Sequence, residues 1–306
     1  MSTTPSARLD LRRRVIGALL YGAIVLAAIY YGLPAFVPVV TVGALLAYYE
    51  LWRLFARAPY APSLAGGLLL IVVFLLLHLV LATVRAEGLR AGSRTGVFAS
   101  VLELGSFVTV AMLAGGALAL RRRDLANGLV AASLTILGAL YCGWLLGYLL
   151  DLGIVGPAVV GGQDDTTFGQ LLQRSWVALA IFPTWAADIT AYAVGSAIGR
   201  RKLLPHVSPG KTVEGTIGGI VAAVAASVFL GTLLEYSLLA AVLIGLVVGV
   251  FGLLGDLVES AIKRAAAAKD SGALLPGHGG ILDRIDSLIF VAPALALFFE
   301  LALRLT

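Results

Sequence analysis

Asp256, Glu259 or Ser260, and Lys263 recur at spacings of three and four in a stretch whose neighbours are mostly apolar. On a helix those spacings share one face. The face offers a carboxylate, a hydroxyl and an ammonium in succession over about two turns, roughly 11 Å of rise. Residues 255–286 read GDLVESAIKRAAAAKDSGALLPGHGGILDRID, with five acids, four bases and a His. Pro276-Gly277 breaks the helix. His278-Gly279-Gly280 then makes a loop without bulky side chains, able to turn backbone N–H groups toward an anion. Asp283 and Asp286 follow at i, i+3, again on one face. Two acid-bearing helix ends facing a Gly-rich loop and several cations suit a divalent metal holding a phosphate chain. The bland alternative is a long helix with a solvated, basic, membrane-proximal face. Such faces seldom also carry a His-Gly-Gly loop and paired aspartates.

A second polar stretch, residues 199–219, reads GRRKLLPHVSPGKTVEGTIGG. Ser208 is expected to cap the next helix, with Lys211 and Thr212 in its first turn. A helix N-terminus with a Lys and hydroxyls is a phosphate-binding arrangement. It is not a P-loop, because the Gly-x4-Gly-Lys-Ser/Thr spacing is absent. Taken alone, the stretch reads equally well as a positively charged loop with a helix cap.

The elements that must position these residues are transmembrane helices. Of the 306 residues, 60% are hydrophobic and 13% charged, and the mean hydropathy is +0.99. That excludes an ordinary soluble domain. The apolar runs are continuous rather than alternating, which argues against a β-barrel and for an all-α polytopic membrane protein. Nine segments have spanning length, at about 14–32, 34–54, 64–84, 96–120, 125–150, 175–198, 213–235, 238–262 and 281–304. The first reads as a retained helix rather than a signal peptide. Pro34 opens the second, and the eighth is expected to run on through AIKRAAAAKD, a strong helix former. The chain divides into an N-terminal set of helices, 1–180, acting as a lipid-facing scaffold, and a C-terminal set, 181–306, carrying the polar motifs. The single cysteine, Cys142, lies in an apolar run, so neither a disulfide framework nor a Cys-based metal site is available.

Charge asymmetry sets the orientation. With the N-terminus inside, 17 of the 22 Lys and Arg fall on the cytoplasmic side, and only Arg85, Arg90, Arg94, Arg174 and Arg304 fall outside. The bias predicts N-inside and C-outside, with both polar stretches in the cytoplasm. The net charge of +5 thus reflects topology, not nucleic-acid binding. The loop at 151–174, with Asp151, Asp164 and Asp165, reads as external and solvated. Glu50, in AYYELWRLF, reads better as interfacial beside Trp52 and Arg53 than as a wall of the polar cavity. His78 and Glu103 could pair across two helices as a structural contact. Asp188 lies deep in the sixth segment, where a carboxylate is costly without a partner, cavity or cation, so a functional role is expected.

The residues Ser260, Lys263-Arg264, Lys269-Asp270, Gly272, Pro276, His278-Gly279-Gly280 and Asp283-Arg284-x-Asp286 resemble the signature of phosphatidate cytidylyltransferases, also called CDP-diacylglycerol synthases. Ser208-Pro209-Gly210-Lys211-Thr212-Val213-Glu214-Gly215 resembles the family's second motif. Gly210 stands where the common form has Lys, and Ser196 where it often has Arg. Asp188 sits in a similar Asp-x-x-Ala-Tyr context. The resemblance covers about 185–293.

It implies a reaction of CTP with phosphatidate to give CDP-diacylglycerol and pyrophosphate, in a bacterial inner or plasma membrane. It also implies Mg2+ held by Asp256 and Asp283, with Asp286 beside them, and a monovalent K+ in the same centre. Lys263, Arg264, Lys269 and Arg284 would meet the triphosphate and the lipid phosphate. Asp188, Ser208, Lys211, Thr212 and Ser260 would line the substrate site. His278, Gly279 and Gly280 would position pyrophosphate. Membrane lipids are partners, and a homodimer is compatible with the sequence. Two alternatives stay open: a CTP-dependent lipid or polyprenol kinase, and a cation-coupled transporter.

Overall fold

The computed structural model describes residues 5–56, 58, 60–91, 95–160, 176–272 and 279–305. The chain is an all-α membrane protein, with one small hairpin among the described residues. Its helices are α1 (Pro5–Tyr31), α2 (Leu33–Phe55), α3 (Leu64–Arg90), α4 (Thr95–Ala119), α5 (Leu125–Ala139), α6 (Leu146–Val160), α7 (Trp176–Ile198), α8 (Val213–Leu233), α9 (Leu238–Ala265) and α10 (Leu282–Leu305). Among the described residues seven helices are long and apolar enough to cross a membrane. Leu19–Tyr31 of α1 and Gly105–Ala119 of α4 are shorter apolar stretches. Helix starts follow the polar residues at their ends. The side chains of Ser63, Asp124 and Ser237 accept the N–H groups of Gly66, Asn127 and Ala240, satisfying donors that a helix N-terminus leaves free. Pro34 sits in the first turn of α2, as expected.

Several sequence expectations are corrected. The fifth segment does not stop near residue 150. It continues through a π turn, Leu140–Leu145, into α6 and reaches Val160. Asp151 is therefore not in a solvated loop but buried, 2% exposed, within α6. Its partners explain how it is tolerated. Its Oδ1 faces His78 Nδ1 at 3.1 Å, and its Oδ2 accepts from Arg85 Nη1 at 3.5 Å. His78 Nε2 meets the Trp144 carbonyl at 3.0 Å, inside the π turn. The expected partner of His78, Glu103, has its side chain outside the described residues, as are Asp164, Asp165 and Arg174. Helix α9 ends at Ala265 rather than running on. Ala267 adopts φ 53°, a left-handed turn that helix propensity does not foresee.

The helices form a chain of close neighbours, α7 on α8, α8 on α9 and α9 on α10, while α3 packs on α4 and α6. Helix α10 also packs on α6, so one buried apolar core is shared by both halves of the chain. At the α9–α10 crossing a side chain on Gly255 would collide with the backbone of Asp286 and Ser287. Glycine lets the two helices meet there, as small residues do in membrane bundles. That close approach sets Asp256 beside Asp286.

Candidate functional site

The second polar stretch folds into a hairpin, not a loop capped by Ser208. Strand β1 (Lys202–Leu204) pairs antiparallel with β2 (Ser208–Thr212), with Lys202 opposite Thr212 and Leu204 opposite Ser208. Lys211 is therefore a strand residue. The cap of α8 is Thr212, whose hydroxyl oxygen accepts the Gly215 N–H at 3.1 Å. Pro205, which opens the three-residue turn between the strands, was the signal for this hairpin, whereas Pro209-Gly210 lies within β2. Glu214 fixes its base, accepting the backbone N–H groups of Arg200 at 3.1 Å and Arg201 at 3.2 Å. Arg264 fixes its tip, donating Nε to the Val207 carbonyl at 3.2 Å and Nη1 to the Ala268 carbonyl at 3.0 Å. Thr212 is 5% exposed. Replacing it with Ala should cost about 1 kcal/mol, as loss of a helix cap does. Thermal unfolding in detergent measures this, with Thr212→Ser expected to lie near wild type.

Under the hairpin lies a cavity of about 520 Å³ between α7, α8 and α9. Lys202, Ser208 and Lys211 line its mouth, and Ile220, Gly249 and Leu253 lie farther along the helices. Asp188, Thr216 and Asp256 occupy the wall between. Asp188 is accessible to the cavity rather than sealed in the helix packing. Tyr192, one turn on and 81% exposed, also lines it. The sequence reading quoted it only as the Tyr of the Asp-x-x-Ala-Tyr context and gave it no role, although its i, i+4 spacing puts it on the same face as Asp188.

Two lysine–carboxylate pairs stand side by side along α9. Lys211 Nζ pairs with Asp256 Oδ2, and Ser260 Oγ approaches Asp256 Oδ1 at 3.4 Å. One turn on, Lys263 Nζ lies between Glu259 Oε2 and Asp283 Oδ1, the latter at 2.7 Å. Glu259 is fully buried and Lys263 is 13% exposed. Asp283 Oδ2 collects three donors: Gly280 N–H at 2.8 Å, Ser271 Oγ at 3.0 Å and Ser271 N–H at 3.3 Å. Asp286 sits within electrostatic range of Asp256, Glu259 and Asp188.

The predicted residues thus divide. Asp188, Ser208, Lys211, Thr212 and Asp256 share the cavity. Ser260 joins it through Asp256. Lys263 and Asp283 form the neighbouring pair, and Asp286 is within electrostatic range of Asp256 and Glu259. Arg264 braces the hairpin, as its hydrogen bonds show. Lys269 and Asp270 are exposed beyond α9, and Arg284 is exposed in the first turn of α10. His278 lies outside the described residues. Gly279 adopts φ 77°, a conformation that glycine takes without strain. Gly280 turns its N–H onto Asp283 rather than outward.

Glu50 corrects the sequence reading outright. It is not interfacial but fully buried, and it accepts from Leu282 N–H at 2.9 Å and Ser271 Oγ at 3.1 Å. Ser271 was missed too, although it is polar within the Asp-Ser-Gly step. Among the described residues no three His, Cys, Asp or Glu side chains converge as a ready metal cluster. The carboxylates present are oxygen donors on facing helices. That suits a hard ion such as Mg2+, which is commonly held by one or two carboxylates with substrate phosphates and water completing its shell.

Comparison with known proteins follows the same residues. A family model described as the cytidylyltransferase family matches residues 12–302. The phosphatidate cytidylyltransferase of Bacillus subtilis is 51% identical over 131 residues, 42% of this chain and 48% of that one. That of Synechocystis is 40% identical over 185 residues, 56% of this chain and 63% of the other. The uncharacterized protein YnbB of Escherichia coli is 44% identical over 163 residues, 53% of each. The chain spans about half the length of the curated relatives it matches.

Proposed function

The chain belongs to the cytidylyltransferase family, and from that premise we propose that it transfers CMP from CTP to phosphatidate, giving CDP-diacylglycerol and pyrophosphate. One observation carries the reading: a single cavity has a cationic mouth, with Lys202 and Lys211, and an apolar far wall, with Ile220 and Leu253. Such a cavity suits a reaction between a polyanion and the phosphate of a membrane lipid.

The chemistry asks little of a base. A phosphatidate oxygen is already anionic. It attacks the α-phosphorus of CTP, a new P–O bond forms, and the bond to the β-phosphate breaks as pyrophosphate departs. The barrier is the repulsion between two anions and the charge growing on the leaving group. Lys202 and Lys211 counter that charge at the mouth. Ser208 offers a hydroxyl donor to phosphate oxygens, and Tyr192 adds a ring to the lining. Asp256 and Asp283, with Asp286, would hold Mg2+, which when bound neutralises triphosphate charge and polarises the reacting phosphorus. Lys263 keeps Asp283 oriented, and Lys211 does the same for Asp256.

Purified protein given phosphatidate and CTP decides the reaction. Label on the α-phosphorus is expected to enter the lipid, while label on the γ-phosphorus is expected to leave as pyrophosphate. Label moving from the γ-position into lipid would make the protein a kinase. Release of neither product would overturn both readings.

The site is proposed to face the cytoplasm, on the strength of the charge asymmetry. His206 is exposed at the hairpin tip. In a Cys142→Ser background, His206→Cys should react with a membrane-impermeant maleimide only after the inner face is opened. Labelling in intact cells would reverse the topology.

A further inference from the structure

Glu50 belongs to the N-terminal helices, yet both of its described contacts are with the segment that delivers Asp283. Its Oε2 accepts the backbone N–H of Leu282, the first residue of α10, at 2.9 Å. The same oxygen meets Ser271 Oγ at 3.1 Å, and Ser271 touches Asp283 Oδ2 through both its hydroxyl and its N–H. The contacts span 221 and 232 residues of sequence. The backbone is shaped around this carboxylate. A Cβ on Gly272 or on Gly280 would run into the Glu50 carboxyl. Glu50 Oε1 has no hydrogen-bond partner among the described residues, and the side chain is fully buried. A carboxylate held in that state is expensive, so stability alone gives no reason for it over an apolar residue. Its use lies in where it fixes the chain.

We propose that Glu50 is a positioning residue for the reaction: from α2 it pins the Ser271 hydroxyl and the N-terminus of α10, and so fixes the direction in which Asp283 presents its carboxylate. The inference rests on the cytidylyltransferase reading of the site. Glu50 touches no reacting atom in this account. It acts at one remove, through Ser271 and the Leu282 peptide. The N-terminal helices then do more than fill the bilayer, since one of them fixes the segment that carries Asp283.

The test uses the full-length protein in detergent or nanodiscs, comparing Glu50→Ala and Glu50→Gln with wild type. Hydrogen–deuterium exchange is read on peptides covering 279–284 and on peptides from α7 and α8. Steady-state kinetics are read for CDP-diacylglycerol formation. In Glu50→Ala, exchange at 279–284 should rise at least ten-fold while α7 and α8 stay as in wild type. Its kcat should fall about 100-fold, with the KM for CTP within about three-fold, because the cavity mouth is untouched. Glu50→Gln keeps an acceptor for the Leu282 N–H and should recover at least ten-fold of the lost kcat.

Exchange that rises throughout the protein would make Glu50 merely structural and overturn the proposal. So would unchanged exchange at 279–284, or local loosening with kcat intact. If wild type makes no CDP-diacylglycerol, the functional reading fails by itself. Exchange at 279–284 then decides alone whether Glu50 pins the segment.

Discussion

Asp283→Asn is expected to lower kcat/KM by about 100- to 1,000-fold, the scale seen when one preorganised electrostatic group is removed from a site. The argument starts from the contacts. Asp283 Oδ1 faces the Lys263 ammonium, and Oδ2 faces Gly280 N–H and Ser271. Every one of these neighbours is a donor. An amide has one acceptor oxygen and one NH2, so in either orientation it points a donor at a donor. The negative charge that would hold Mg2+ also goes. The protein should still insert and purify, because the surrounding helices pack without this carboxylate. Turnover is measured across a Mg2+ titration, alongside the unfolding temperature. Near-normal turnover at saturating Mg2+ would remove Asp283 from the proposed ligands.

Lys263→Met should act on the fold itself. Lys263 lies between Glu259 and Asp283, and all three side chains are at most 13% exposed. Removing the ammonium leaves two facing carboxylates in a poorly solvated site. Breaking a buried ion pair in this one-sided way costs about 3–5 kcal/mol. The prediction is a large drop in resistance to thermal or SDS unfolding, with activity lost. Adding Glu259→Gln removes one of the two facing carboxyl groups and should restore at least half of the lost stability without restoring activity. Strict additivity of the two changes would show that the pair is not coupled.

Much of this site was legible because its parts repeat at helical spacing. Asp256, Ser260 and Lys263 share a face of α9 as their intervals require, and Asp283 opens α10 after the glycines. The side chains that join distant segments were not legible. Glu50 reaches Ser271 across 221 residues, and no local pattern encodes that contact. A carboxylate inside an apolar run was itself the signal, but Arg53 and Trp52 nearby offered a simpler interfacial account. Asp151 was misplaced for a related reason. Hydropathy marks where a bilayer could end, whereas the helix goes on to Val160 because His78 and Arg85 receive the charge. The hairpin at 202–212 was obscured by its short strands, three and five residues long, which carry too little alternation to show a period of two.

The π turn at Leu140–Leu145 gives the long helix two phases. A turn of this kind lodges a surplus residue in an α-helix, and each residue advances the spiral by about 100°. Before it, Gly138 lies against Tyr48 and Leu51 of α2; after it, Gly147 and Asp151 lie against His78 of α3. Removing one residue from 140–145 would let the rod rewind as a uniform spiral, and Asp151 would swing more than a quarter-circle away from His78. The extra residue works as a gear tooth, letting one continuous rod mesh with two neighbours whose docking faces are out of step.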